Sequence, residues 1–218
     1  MPGVSLRGWL PAWDFERRRV DLSEVRRWTF SQLRAWGCED VEALSDRDAQ
    51  HLAQRLTAQS LSPTLRKPLH EAMRVMLPEL PWKRIWVQTH AHFRILTVGD
   101  RCNVVPPHTD FGFGHGLDER NLWLPLTDAM GAAALHGYSL DRSLAWPAAT
   151  EGIVDAPDLV PQSTPRDEAL LFTPLHVHGG RSPVAAPRLS IDLRIIPAGG
   201  RANYTFSPLW RNALRGDA

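Results

Sequence analysis

The sequence predicts a mainly β protein with helices at its N-terminal end, built as a jelly-roll barrel or sandwich with the helices packed outside. Two patterns predict this fold class. Residues 1–80 carry apolar side chains at helical spacing, whereas residues 81–218 contain short alternating stretches separated by turns rich in glycine and proline. Short strands after a helical region are typical of a layered β fold. We therefore expect a single domain in which the helical region packs on a β core.

Three helices are predicted within residues 1–80. Their start signals are Asp21–Glu24, Ser45 and Ser62-Pro63, and their stop signals are Gly37, Pro78 and Pro81. The expected apolar faces are Val25, Trp28, Leu33 and Trp36 in the first helix, Leu52, Ala53 and Leu56 in the second, and Leu65, Leu69, Met73 and Met76 in the third. Covering a sheet is the role that this pattern favours.

The strands are predicted from residue 85 onward. In residues 85–96 one side carries Gln88, His90, His92 and Arg94, and shorter strands are expected at 121–126 and 168–172. Residues 132–139 fit a strand or, through their three alanines, a helix. In residues 187–197 four apolar residues alternate with Arg188, Ser190, Asp192 and Arg194. Residues 141–167 lack periodicity, which fits either a lid over a pocket or an ordinary surface loop.

Composition excludes several classes of protein. The 25 basic and 24 acidic residues give a net charge of +1, which argues against nucleic-acid binding. Arg17–Arg19 is a dense basic patch that we interpret as a solvated helix or loop surface. Cys38 and Cys102 do not form a Cys-x-x-Cys motif, which argues against a disulfide scaffold or a zinc ribbon. Neither a secretory signal nor an apolar run of about eighteen residues is visible, so a cytoplasmic protein without a membrane partner is expected.

A candidate metal site begins at His108 and Asp110, which lie two residues apart where a predicted strand enters a glycine-rich turn. Two residues is the strand period, so both side chains are expected on one face, and an imidazole and a carboxylate can both bind a divalent metal. Any of several other histidines could supply a third ligand. His176 and His178 precede a Gly-Gly turn and share one strand face, so alternation does not choose between them. His90, His92, His115 and His136 also remain candidates, whereas His51 and His70 are expected to be ordinary helical residues.

Arg188 and Ser190 follow the second histidine pair by about ten residues. An arginine beside a hydroxyl is a suitable receptor for a carboxylate, because the guanidinium offers two parallel donors and the hydroxyl adds one more. Two histidines, one carboxylate and an anion receptor match the facial triad of non-haem Fe(II) oxygenases.

These residues resemble the signature of the Fe(II)/2-oxoglutarate-dependent dioxygenases of the phytanoyl-CoA dioxygenase-like superfamily. The matching positions are Arg94, His108-x-Asp110, Phe113-Gly114-His115, Asn121-x-Trp123-x-Pro125-Leu126-Thr127, His178-Gly179 and Arg188-x-Ser190. Their order is similar to that in the group typified by the streptomycin-biosynthesis dioxygenases, and they cover about residues 85–196. The pattern has its ligand histidine directly before glycine, which favours His178 over His176. The residues after Gly179 depart from it, because asparagines are usual there.

The resemblance implies a double-stranded β-helix, the cupin-like form of the jelly roll. It also implies that Fe(II) binds to His108, Asp110 and His178, that 2-oxoglutarate chelates the iron while Arg188 and Ser190 hold its distal carboxylate, and that O2 is the co-reactant. Related halogenases have a small residue at the position of Asp110, so the aspartate favours hydroxylation, or desaturation or ring closure. Asn121, Trp123, His115 and Arg94 are candidate pocket residues, and Asn121 and Arg94 are assigned to cosubstrate binding.

The predicted function is therefore oxidation of a small polar metabolite, in specialised-metabolite biosynthesis. The main alternative is a non-catalytic jelly-roll protein that binds or senses a ligand and retains a metal site. The complete triad together with Arg188 favours the enzyme. A cupin-like metalloenzyme without a cosubstrate would leave Arg188-x-Ser190 unexplained.

Overall fold

A computed structural model describes residues 14–76, 84–100, 103–146, 153, 155–181, 184, 186–197 and 210–215. Its helices are α1 (Ser23–Ala35), α2 (Asp46–Ala58), α3 (Pro63–Met76) and α4 (Leu140–Leu144). Its strands are β1 (Glu16–Arg19), β2 (Arg84–Gln88), β3 (His92–Leu96), β4 (Arg120–Pro125), β5 (Leu135–Gly137), β6 (Val160–Gln162), β7 (Glu168–Phe172), β8 (His178–Gly179), β9 (Arg188–Pro197) and β10 (Trp210–Arg215). The expectation of a mainly β protein with N-terminal helices is confirmed, and all strand pairs are antiparallel.

The three predicted helices form where their sequence signals stand. Gly37 follows α1 with φ of +85°, a conformation that glycine adopts without strain. Ser45 caps α2, because its hydroxyl accepts a hydrogen bond from the amide of Asp48 at 3.2 Å. Pro63 begins α3, while the expected stops at Pro78 and Pro81 lie outside the described residues. Most of the predicted apolar faces are buried in one core cluster, against which Trp28 and Trp36 pack partly buried.

The larger sheet separates that core from the candidate site. It runs in the order β1-β7-β4-β9-β2-β10, and β3 pairs with β9 beyond the segment that β2 occupies. Strand β9 divides its side chains as predicted: Leu189, Ile191, Leu193 and Ile195 belong to the core cluster with the helices, and Arg188, Asp192 and Arg194 line a cavity. One face of the sheet therefore anchors the helices, and the other carries polar groups.

A smaller sheet, in the order β6-β5-β8, forms the opposite wall of that cavity. Its strand β8 contributes His178, and β5 contributes Leu135. Helices, larger sheet and smaller sheet thus form three layers, with the apolar core between the first two and the polar cavity between the second and third.

Helix α2 is fixed to the edge strand β3. The hydroxyl of Thr57 accepts from the amide of Phe93 at 3.0 Å, and the hydroxyl of Ser60 accepts from the amide of Ala91 at 3.2 Å. At the other end of α2, the side-chain amide of Asn103 donates to the carbonyl oxygen of Asp46 at 2.9 Å. These contacts satisfy backbone donors at a sheet edge that no strand covers within the described chain.

Several expectations were wrong in detail. Arg17–Arg19 is part of β1, which pairs with β7, and is not in a helix or loop, although Arg17 and Arg19 are solvent-exposed as expected. Residues 85–96 form two strands, since the chain bends at 89–91. For residues 132–139 the strand alternative is confirmed, because β5 lies there after a short 3-10 helix. The described part of 141–167 contains most of α4 and all of β6, so it is neither a plain loop nor without secondary structure.

Among the described residues, none of the helices combines the length and the apolar character needed to cross a lipid bilayer.

Candidate metal centre

His108, Asp110 and His178 converge on one point. One potential ligand atom from each lies within 4.8 Å of the others, and this is the one such group of three found among the described residues. The Nε2 atom of His108 is 3.5 Å from Oδ1 of Asp110, and the Nε2 atom of His178 is 3.9 Å from Oδ2. All three residues are at most 9% exposed. Two imidazoles and a carboxylate in this arrangement could hold a divalent metal on one face.

The local structure that brings His108 and Asp110 together differs from the predicted strand. His108 makes an isolated β-bridge, whereas Asp110 has helical backbone angles (φ −65°, ψ −29°) and precedes a 3-10 helix at Phe111–Phe113. The amides of Phe113 and His115 both donate to the carbonyl oxygen of Asp110, at 3.0 and 3.1 Å. A compact turn therefore aims the carboxylate back toward His108, and strand alternation is not the cause.

His108 and His178 are joined through their backbones. The amide of His108 donates to the carbonyl of His178, and the amide of His178 donates to the carbonyl of His108, each at 2.9 Å. Their ring centroids are 4.3 Å apart. Two residues distant in sequence are thereby fixed as direct neighbours, with both rings on the cavity side.

Each ligand ring has its second nitrogen engaged. Nδ1 of His108 donates to the carbonyl oxygen of Pro106 at 2.9 Å, and Nδ1 of His178 donates to that of His176 at 2.8 Å. With the proton on Nδ1, each Nε2 presents a lone pair toward Asp110. Burial lowers the pKa of His178 to about 4, so this ring is neutral near pH 7 and able to bind a metal.

Asp110 is held by partners on both oxygens. The side-chain amide of Asn121 donates to Oδ2 at 2.6 Å, and the guanidinium of Arg194 donates to Oδ1 at 3.2 Å. Burial by itself would raise the pKa of Asp110. The interactions of the carboxylate with His108, His178 and Arg194 outweigh burial and hold that pKa well below its usual value. The carboxylate is therefore anionic and held in a fixed orientation, as a metal ligand would need to be.

His176 and His178 do not share a face, contrary to the sequence expectation. His176 lies in the turn before β8, and the amide of Thr173 donates to its Nδ1 at 3.1 Å. Its ring packs between Phe15 and Phe172, at centroid distances of 4.8 and 6.0 Å. The structure thus brings His178 to the cluster and leaves His176 outside it.

A cavity of about 240 Å³ opens from this cluster, and we refer to it as the inner cavity. At a distance from the three ligands it contains Arg188, which is 4% exposed and lies with its guanidinium carbon 5.4 Å from the Trp123 ring centroid. One terminal nitrogen of Arg188 donates to the carbonyls of Ala133 and Ala134 at 3.0 Å, but its Nε has no partner among the described residues. Burial lowers the pKa of Arg188 to about 10, so the group stays charged at neutral pH.

Ser190 lies on the same side of β9 as Arg188, and its buried hydroxyl likewise has no hydrogen-bond partner within the described chain. It is not among the residues that line the inner cavity. The indole nitrogen of Trp123, on the neighbouring strand β4, is a third buried donor without a described partner. Polar groups of this kind cost free energy unless a ligand or water satisfies them.

The other predicted pocket residues divide into two groups. Arg94, Asn121 and Trp123 line the inner cavity; Arg94 is ion-paired with Asp192, and Asn121 binds Asp110. His115 does not line it, because its Nδ1 pairs with the fully buried Glu119 at 2.7 Å, behind the turn that follows Asp110. Of the remaining candidate histidines, His92 lines the cavity without joining the ligand cluster, and His90 and His136 lie outside that cluster.

Arg194 was missed as a site residue, although its position carried a signal. It lies with Arg188, Ser190 and Asp192 on the polar side of β9. Burying four polar side chains on one face of a strand costs free energy, so such a face indicates a binding site. What sequence alone did not reveal is its partner, because Asp110 is 84 residues away in the chain.

Gly179 is required by close backbone packing. A Cβ atom at this position would lie 2.9 Å from the carbonyl carbon of Pro106 and 2.9 Å from Cα of Pro107. The glycine therefore allows β8 to approach the segment that carries His108, so that the two ligand histidines can pair.

Comparison with solved structures shows a shared fold. The chain is similar to the non-heme monooxygenase ThoJ in its apo form, with a TM-score of 0.56 and 12% identity over 91% of this chain and 74% of ThoJ. The ThoJ–nickel complex gives a TM-score of 0.55 over the same shares at 12% identity. CytC3 with Fe(II) and alpha-ketoglutarate gives 0.53 and 11% identity, over 91% of this chain and 79% of CytC3.

No family model and no curated protein matches the sequence.

Proposed function

We propose that the protein is an Fe(II)- and 2-oxoglutarate-dependent oxygenase that hydroxylates a small polar metabolite. The observation that carries this proposal is one buried cavity holding both a His-Asp-His cluster and an arginine that no described carboxylate pairs with. Three ligands on one side of a metal leave the other positions open for a chelating cosubstrate and for O2.

The donor set fits Fe(II). Imidazole and carboxylate are ligands that ferrous iron accepts, and both histidines present Nε2 because their Nδ1 atoms are bonded to backbone carbonyls. Among the described residues that line the cavity there is no cysteine, whose thiolate would favour zinc or an iron–sulfur cluster. Bound Fe(II) and 2-oxoglutarate would supply the oxidation, in which O2 converts 2-oxoglutarate to succinate and CO2 while the substrate gains a hydroxyl group.

The charges in the inner cavity fit a cosubstrate with a distal carboxylate. Of three arginines that line it, Arg94 is paired with Asp192 and Arg194 with Asp110. Within the described chain, the hydrogen-bond partners of Arg188 are both carbonyls, so its positive charge is available to an anion. Its unpartnered Nε and the nearby hydroxyl of Ser190 are the donors that we assign to that carboxylate.

The remaining residues orient and protect the site. Asn121 and Arg194 hold the carboxylate of Asp110, and the backbone bridge fixes the two histidines. Burial of all three ligands excludes bulk water from the metal, which favours coupling of cosubstrate oxidation to the substrate. We infer further that the two sheets form the double-stranded β-helix of this superfamily, and that the reaction belongs to cytoplasmic specialised-metabolite biosynthesis. The grouping with streptomycin-biosynthesis dioxygenases stays a prediction.

The test is spectroscopic and needs no substrate. Under anaerobic conditions, Fe(II) and 2-oxoglutarate added together should produce a weak visible charge-transfer band that neither produces alone. Asp110→Ala should abolish the band, whereas Asp192→Asn, a change to another carboxylate that lines the cavity, should retain it. If iron binds and no band forms with wild-type protein, the oxygenase proposal is wrong and a non-catalytic metal-binding protein becomes the better interpretation.

A further inference from the structure

A single loop joins the candidate metal ligand Asp110 to Asn121, the residue that holds its carboxylate. The side-chain amide of Asn121, at the start of β4, donates to Oδ2 of Asp110 at 2.6 Å, so the two ends of the loop are bonded to each other. Inside the loop lies a buried pair, His115 and Glu119, which belongs neither to the ligand cluster nor to the lining of the inner cavity. The position of this pair suggests a role in holding the loop.

The carboxyl group of Glu119 uses both of its oxygens within the loop. Oε2 lies 2.7 Å from Nδ1 of His115, and Oε1 accepts a hydrogen bond from the amide of Gly116 at 3.0 Å. The backbone amide of Glu119 also donates to the carbonyl oxygen of Gly116 at 3.1 Å. Glu119 is fully buried, and a buried carboxyl group costs free energy unless its oxygens are hydrogen-bonded. Glu119 therefore fixes two successive residues of the loop relative to the start of β4.

His115 transmits this constraint to the backbone of Asp110. Its amide donates to the carbonyl oxygen of Asp110 at 3.1 Å, beside the amide of Phe113, which donates to the same oxygen at 3.0 Å. Between the two donors, Gly114 has φ of +89°, which lets the chain reverse without strain. Because Glu119 holds the ring of His115 and the amide that follows it, the direction of the His115 amide is set. The peptide of Asp110 is thereby fixed as well.

The carboxylate of Asp110 depends on this backbone support. Asn121 and Arg194 donate to its two oxygens at 2.6 and 3.2 Å. A hydrogen bond weakens steeply when its donor and acceptor move out of line, so these two bonds require the backbone of Asp110 to stay in place. Residues that support a metal ligand in this way typically change metal affinity about 10- to 100-fold when they are replaced.

We propose that Glu119 is a positioning residue for Asp110. By holding His115 and Gly116 it fixes the turn that follows Asp110, and this turn keeps the carboxylate where it binds a divalent metal together with the two histidines. Glu119 acts through the turn and does not contact the metal. The inference rests on the metal site of the proposed function, and it does not depend on the cosubstrate.

The experiment is a calorimetric titration of the full-length protein with Mn(II), comparing wild type with Glu119→Leu and Glu119→Gln. Leucine removes both acceptors, so Mn(II) affinity should fall about tenfold or more. Glutamine removes the ionisable group but keeps an oxygen for the amide of Gly116 and a side-chain amide for Nδ1 of His115. Its affinity should stay close to that of wild type. Equal losses in the two variants would overturn the inference, because charge and not the geometry of the turn would then control metal binding.

Hydrogen exchange followed by mass spectrometry tests the turn itself in metal-free protein. Glu119→Leu should lose protection in residues 111–118, whereas Glu119→Gln should keep it. His115→Phe is a milder second variant, because it removes the bond to Oε2 and retains a ring and the backbone amide. It should lower both Mn(II) affinity and protection, by less than Glu119→Leu does. Protection that is lost while Mn(II) affinity stays unchanged would overturn the inference.

Thr29→Val is the control for a general loss of stability. The buried hydroxyl of Thr29 donates to the carbonyl oxygen of Val25 within α1 at 2.8 Å, in the helical layer. This variant should unfold at a lower denaturant concentration with unchanged Mn(II) affinity; a loss of affinity equal to that in Glu119→Leu would overturn the inference. Wild-type protein that binds no Mn(II) would contradict the proposed function itself. Wild-type binding with equal affinity in every variant would overturn the role of Glu119 alone.

Discussion

The two ends of the inner cavity differ in how many of their buried polar groups have a hydrogen-bond partner within the protein. At the metal end, both histidines have their Nδ1 atoms bonded, and both oxygens of Asp110 have a side-chain partner. At the other end, which we call the anion end, Arg188 and Trp123 retain buried donors without described partners, as does Ser190, which lies beside this end without lining the cavity. Under the proposed function, the chain itself orients His108, Asp110 and His178, and we expect a bound carboxylate to satisfy the donors at the other end.

Replacement of His178 should have the largest effect on the metal end. His178→Ala removes one of three ligands, so we expect metal affinity to fall by more than about 100-fold, beyond the range for residues that only support a ligand. His176→Asn retains an acceptor for the amide of Thr173 and should bind metal with unchanged stoichiometry. Calorimetric titration with Mn(II) measures both. Metal binding lost in His176→Asn and kept in His178→Ala would reverse the ligand assignment.

Arg188→Met tests the anion end. Loss of a charged hydrogen bond of about 1.5–3 kcal/mol should raise the 2-oxoglutarate concentration that half-saturates the charge-transfer band by roughly 10- to 100-fold. Metal affinity should not change, because Arg188 does not contact the ligand cluster. Arg94→Met is the control in the same cavity, since Arg94 is already paired with Asp192. Equal effects of the two substitutions would show that the charge of the cavity matters and the position of Arg188 does not.

Arg194→Met tests the metal end, because it removes the guanidinium that donates a hydrogen bond to Asp110. We expect metal affinity to fall about tenfold, because a carboxylate without its oriented partner is a weaker ligand. The concentration of 2-oxoglutarate needed at saturating metal should change less than it does in Arg188→Met. Unaltered metal affinity in a folded Arg194→Met protein would mean that Asn121 alone holds the carboxylate.

Ser190→Ala should have the smallest effect. Removing one neutral donor is expected to weaken 2-oxoglutarate binding about fivefold and to leave metal binding intact. The same titration of the charge-transfer band checks it. Because this hydroxyl is buried and unpartnered, the variant could instead prove more stable than wild type with no change in 2-oxoglutarate binding. That result would remove Ser190 from the proposed anion site.

Much of the fold could be predicted from the sequence because its signals are local. Ser45 and Gly37 mark helix ends through their own backbone and side-chain chemistry, and the alternation in 187–197 assigns each residue of β9 to a face. The residues of a strand do not indicate which distant strand it pairs with. The three arginines at 17–19 were therefore interpreted as a helix or loop, although they form a strand that pairs with β7; Arg17 and Arg19 are nevertheless exposed, as expected.

The candidate site was predictable in its residues and less so in its geometry. His108, Asp110 and Arg188 stand out by residue type and spacing, and the family resemblance favoured His178. Alternation wrongly grouped His176 with His178, since the chain turns at 173–177 before β8 begins. The contact between Arg194 and Asp110 depends on tertiary structure, as does the pairing of His115 with Glu119 that removes this histidine from the cavity.

The reciprocal backbone bond between His108 and His178 also bears on folding. A metal held by both residues would act as a cross-link that closes a long loop, so its binding free energy would add to the free energy of unfolding. Iron supply would then influence how long the protein survives in the cell as well as how fast it works. A chain that has lost its metal would be a better target for proteolysis, and the pool of intact protein would follow the availability of iron.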